Sequence, residues 1–194
     1  MEGPLSPDKN PLFSNPVTIP VSYWERLKAD YYQFNFFGFD GVARKEDKKI
    51  FIDNFPIRLS FQIYLVILTY LYVKESKNIL LGKDWVLARE LKGGIHFFDR
   101  SHPIDVKRIL DYYHNDLVAI KRKALKYKGN ELNLGDFGYD FMVFPEIKIR
   151  YIFYEGDEDF PSYISVIFQK GIEDYLPLDV IWAITNIIGD LFCL

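Results

Sequence analysis

From Tyr139 to Gln169 the apolar residues recur at every second position, the period of a strand rather than a helix. Ile147, Ile149, Tyr151 and Phe153 would share one face, with Lys148 and Arg150 on the other. The pattern predicts three strands, near 139–144, 147–154 and 162–168, with Glu155-Gly156-Asp157-Glu158-Asp159 as the turn between the last two. A meander with one apolar face must be covered, so the rest of the chain has to supply a second layer.

Helices supply it. The run Leu59–Val73 is apolar on most faces and reads as a central helix over about 58–74. At about 15 residues it is shorter than the roughly 20 that span a bilayer, so membrane insertion is not expected. Ser22 and Glu25 have the spacing of a capping box and predict a first helix running to about Phe34. Val106, Ile109, Leu110, Tyr113, Leu117, Ile120 and Ala124 recur at helical spacing, predicting a long third helix that starts near Ser101-His102-Pro103 and stops at Gly129. Pro177 opens a last helix over about 178–191. Two short strands near 40–44 and 49–53 would flank the polar turn Lys45-Glu46-Asp47-Lys48. The expected fold is α+β: an antiparallel sheet of about five strands, the C-terminal meander at its centre, packed against about four helices. Residues 1–20 hold Pro4, Pro7, Pro11, Pro16 and Pro20 and predict an extended arm ahead of one globular domain over 21–194.

Charge and cysteine content remove several function classes. The net charge is −3, whereas duplex-binding domains show a basic excess, so nucleic acid is not an expected partner. Cys193 is the single cysteine, which leaves no internal disulfide and no intrinsic iron–sulfur cluster to expect. With no basic-then-apolar leader at the start, a cytoplasmic setting is expected. The 18% aromatic content accompanies many Lys, Ile and Asn residues, as coding bias would produce. No phosphate-binding glycine loop, nucleophile elbow or Cys–His arrangement is present.

Short motifs recur along the chain in a definite order. They are Tyr23-Trp24-Glu25, then Leu68-Thr69-Tyr70-Leu71, then Trp85 with Ala88-Arg89-Glu90-Leu91-Lys92-Gly93-Gly94. Gly135-Asp136, Pro145, Glu155-Gly156-Asp157-Glu158-Asp159-Phe160-Pro161 and Tyr175-Leu176-Pro177-Leu178-Asp179 follow. Their order and spacing resemble the uncharacterised family called domain of unknown function 3786, over about residues 21–192. The resemblance implies a setting in anaerobic bacteria and archaea. Some family members carry an added cysteine-rich iron–sulfur segment, which this chain lacks. It assigns no catalytic residue.

Candidate sites then rest on the residues themselves. Glu155, Asp157, Glu158 and Asp159 could hold a hard cation through oxygen ligands, or form a solvated hairpin turn. Asp136, between glycines, could approach a ligand or make an Asx turn. Trp85 and Arg89 are four apart and could clamp an anion if their segment is helical. His96, Asp99, His102 and Asp105 could bind a metal only if they converge. His114 has no partner in view. Lys121, Arg122, Lys123, Lys126 and Lys128 crowd one helix end, either as a solvated cap or as a contact for an acidic partner.

Three functions fit. The first is a non-enzymatic accessory domain that binds a ligand or protein partner in anaerobic metal- or corrinoid-related metabolism, a reading that follows from the family setting. The second is a carboxylate-based enzyme, with or without a divalent metal, using Asp136 and the 155–159 turn. The third is the subunit of a homo-oligomer. A pocket converging on Trp85 and Asp136 would favour a small-molecule ligand, and an open apolar patch would favour association.

Overall fold

The computed structural model describes residues 19–194; all of the proline-rich arm except Ile19 and Pro20 lies outside them. Helix α1 (Val21–Glu25) leads into β1 (Tyr31–Phe36), β2 (Phe39–Arg44) and β3 (Lys49–Ile52). Next come α2 (Phe61–Ser76), β4 (Trp85–Leu87), α3 (Gly94–His96), α4 (Lys107–Tyr112) and α5 (Leu117–Ala124). The chain closes with β5 (Gly129–Leu132), β6 (Phe137–Phe144), β7 (Ile147–Tyr154), β8 (Tyr163–Gln169) and α6 (Leu178–Phe192).

The predicted meander forms as β6, β7 and β8, at the centre of a five-stranded antiparallel sheet of order β4-β8-β7-β6-β5. The sheet's composition differs from expectation. The two strands around Lys45–Lys48 do not join the meander; with β1 they make a separate three-stranded sheet. The two edges of the large sheet come instead from β4 and β5, segments of three and four residues too short to show a period.

The first helix stops at Glu25, and the predicted capping box does not form, since Pro20 takes the cap position without a side-chain bond. Tyr31–Phe36 is extended instead, because the turn Phe37-Gly38 folds it onto β2. Both turn residues have positive φ, 52° and 93°, which is the two-residue hairpin geometry that matches strand twist. The Phe37 N–H donates to the Val143 carbonyl, and the Lys128 N–H donates to that of Phe37, so the turn of the small sheet is bonded to β6 and to the residue that precedes β5.

The long third helix is two. His114 and Asn115 take left-handed φ of 51° and 62°, and Asp116 then caps α5 by accepting the Ala119 N–H at 3.0 Å. Its start also moves, from Ser101 to Lys107, with Asp105 accepting the Arg108 N–H.

One contiguous set of buried side chains joins both layers. Phe141, Tyr151 and Phe153 of the large sheet meet Phe192 of α6 edge-on or tilted, with centroids 5.6, 6.5 and 6.0 Å away. Helix α2 ties in through Tyr70, which stacks on Phe144 at 3.7 Å. Among the described residues no helix is long and apolar enough to cross a membrane.

Candidate binding tip

Strands β7 and β8 alternate more and less buried side chains over much of their length, which gives the sheet a core face and an outward face, while β6 is buried at every position but Met142. On that outward face Arg150 lies directly opposite Asp140 in register. Its Nε and Nη2 donate to the two carboxylate oxygens at 2.6 and 3.0 Å. The Trp85 ring covers the same guanidinium, 3.8 Å from Cζ to centroid. Asp140 is only 5% exposed, so the charge of Arg150 is matched inside the fold and is not free to clamp an anion.

Trp85 therefore pairs with Arg150 and not with Arg89. Trp85 is in a strand, while Arg89 is on the single 3₁₀ turn Ala88–Glu90 and reaches Asp99 at 3.7 Å. Asp136 is elsewhere. Trp85 sits beside Gln169, at the start of β7, whereas the Asp136 N–H donates to the Phe153 carbonyl at the end of β7. Two clefts of the described residues are well formed. One, of about 340 Å³, lies by Lys74, Glu75 and Glu146, and the other, of about 400 Å³, lies by Phe34, Asp40 and Phe51. Neither takes in Trp85, Arg89 or Asp136.

What the structure does bring together is Asp136 and the acidic turn. The Glu155 N–H donates to the Asp136 carboxylate at 2.8 Å. Gly135 has φ of 61°, and a Cβ there would stand 2.7 Å from the Phe153 carbonyl oxygen, so the loop can lie this close only as glycine. Beside it, Tyr154 and Tyr163 stack at 4.3 Å, 9° from parallel.

The turn itself is fastened at four points. The Asp157 carboxylate accepts the N–H groups of Asp159 and Phe160, at 2.9 and 2.8 Å. The Asp157 N–H donates to the Phe160 carbonyl at 2.8 Å, and the Gly156 N–H to the Ser162 hydroxyl at 2.9 Å. These bonds hold Phe160 outward, 71% exposed. Tyr163 at 52% and Leu134 at 39% are also exposed apolar side chains of these segments. Glu155, Asp157, Glu158, Asp159 and Asp136 lie on the same segments, all exposed, and neither 133–138 nor 154–163 contains a Lys or Arg.

The histidine set stays apart. His96 is exposed, Asp99 faces Arg89, and His102 stacks on Phe97 at 4.2 Å and meets Trp182 edge-on. Among the described residues no three His, Cys, Asp or Glu side chains gather as a metal site would require. Phe160, Tyr163 and Leu134 were not read as site residues from the sequence. The available signal was an aromatic residue inside an otherwise polar turn, where burial was not on offer.

Fold and tip together describe an α+β protein of two antiparallel sheets around one aromatic core, with an acidic, aromatic loop cluster at one end. The chain belongs to the family described as domain of unknown function (DUF3786), whose sequence profile matches residues 21–190. No curated protein and no solved structure matches it.

Proposed function

We propose that the domain is a non-enzymatic binding module that takes a protein partner on the tip formed by residues 133–136 and 154–163. The single observation that carries the reading is the held-out Phe160, 71% exposed on a turn whose backbone is bonded internally. Leaving an aromatic ring in water is unfavourable, and fixing its loop in advance removes an ordering cost from association. An apolar patch rimmed by polar groups is the usual form of an interaction site. The tip's carboxylates select for a basic partner face and speed encounter with it.

The anaerobic setting and the link to metal and corrinoid metabolism enter this proposal through the family resemblance alone, and the cytoplasmic location through the sequence reading alone. The carboxylate-enzyme reading has less behind it, since Asp136 and Asp157 already accept backbone N–H groups within the tip.

A photoreactive residue placed at position 160 in living cells tests the proposal. The expected result is a discrete adduct whose cross-linked peptide is rich in Lys or Arg, lost when Glu158 and Asp159 are both changed to Lys. An adduct pattern equal to that from a probe at Lys49 would sink it.

A further inference from the structure

The structure also offers a face that matches the tip, on the same chain. Helix α5 turns Val118, Arg122, Leu125 and Lys126 toward solvent, a spacing that puts them along one side of the helix and its last turn. Val118 is 67% exposed and Leu125 is 50% exposed. Around them stand Lys123 and Lys128. Lys121 is occupied, bonding Glu131 on β5 and lying 5.4 Å from the Phe137 ring. Arg122, Lys123, Lys126 and Lys128 enter no ion pair among the described residues. Burial, and then the neighbouring charge of Lys126, hold the Lys123 ammonium below its ordinary range.

Register fixes where this face sits. The Met142 N–H donates to the Lys128 carbonyl, near the end of β6, while the tip loop 133–136 precedes Phe137 at its start. The chain leaves α5 at Lys126–Lys128 and then runs along β5 toward the tip. Lys128 and the acidic tip are therefore at opposite ends of β6, and α5 lies along the length between them, with Lys121 reaching back to Glu131 and the Phe137 ring. The basic end of α5 and the tip each combine exposed apolar side chains with charge of one sign, and the signs are opposite.

We propose that the tip of one copy docks on the basic end of α5 in a second copy, Phe160 and Tyr163 against Val118 and Leu125. Two copies placed antiparallel about a two-fold axis make this contact twice and close the assembly. The inference rests on the binding role of the tip and names a second copy as its partner.

Sedimentation velocity at about 0.01 M salt, where charges act over about 30 Å, should show a dimer. At about 1 M salt, where that range falls to about 3 Å, it should show monomer. The variant E158K/D159K should be monomeric at low salt, and so should R122E/K126E. Mixed in equal amounts they should form a heterodimer, because both contacts of the antiparallel pair then join opposite charges. A wild-type chain that stays monomeric at low salt overturns the inference, as does a mixture that fails to associate. That failure is separable from failure of the binding role. A position-160 adduct with a different, basic protein would retain the role while excluding the second copy, and an adduct joining residue 160 to α5 of the same chain would support both.

Discussion

Arg150 lies between an aromatic ring and a buried carboxylate, and the pair has consequences that its neighbours do not. Removing one member of a buried ion pair strands the other, which typically costs about 3–5 kcal/mol. D140A and R150A are each expected to lose stability of that order in urea unfolding, with the D140A/R150A double variant losing less than the two combined. At the Tyr70–Glu146–Lys74 contact, burial raises the Glu146 carboxyl, but the bonds from the Tyr70 hydroxyl at 2.7 Å and the Lys74 ammonium outweigh it and leave it below its usual range. Glu75 is likewise raised by burial and brought lower overall by the Tyr32 hydroxyl and by the N–H groups of Lys28 and Ala29. A carboxyl lowered in the folded state stabilises above its unfolded value, and that contribution disappears as pH falls through the folded value. Thermal melts should therefore show stability falling on acidification below the ordinary carboxylate range, and Y70F should flatten the fall. Burial, helped by Glu75, pushes Tyr32 up to about 12, and burial does the same for Tyr127. For these groups the sign is opposite. Their contribution is whole below pH 10 and is lost toward about 12, so tyrosinate absorbance and unfolding should rise together there.

Among the elements, α5 depends on its cap. D116A removes the acceptor of the Ala119 N–H and should cost about 1 kcal/mol. Hydrogen exchange would show the loss concentrated in 117–124. The same helix shows what the sequence concealed. Its apolar spacing ran unbroken from Val106 to Ala124, because α4 and α5 both pack inward and periodicity alone does not register a change of axis. The left-handed pair His114-Asn115 was the local signal, asparagine being among the residues that tolerate that region. The meander was legible since alternation over many residues has no helical counterpart. Tyr31–Phe36 was not, because only its pairing with β2 distinguishes it from the tail of a helix. Of the candidate site, the carboxylates at 136 and 155–159 were visible, and their junction through the Glu155 N–H was not, since it joins residues that only the β6–β7 register makes neighbours. Lys148 and Arg150 were correctly placed opposite the core face, but Asp140 as the partner of Arg150 again required the register.

For the molecule as a whole, stability and association should separate. Phe160 is 71% exposed and contributes little to the core, so F160S should change stability by less than about 0.5 kcal/mol in urea unfolding. The same variant should abolish dimerisation in low salt. The five-stranded sheet and α6 enclose the aromatic core, while the turn 155–162 is bonded within itself and to Asp136, which leaves the association surface free to vary without threatening the fold. The turn at Phe37 has the opposite character. Its N–H and its carbonyl are committed to Val143 and Lys128, on the far side of a sheet boundary, and its ring is buried. Pulling the small sheet away would break both bonds and bare that ring in a single event. The two sheets thus have no separate melting points to express: the chain should unfold once, with calorimetric and van't Hoff enthalpies equal, and a hairpin of two residues is what makes them one thermodynamic body.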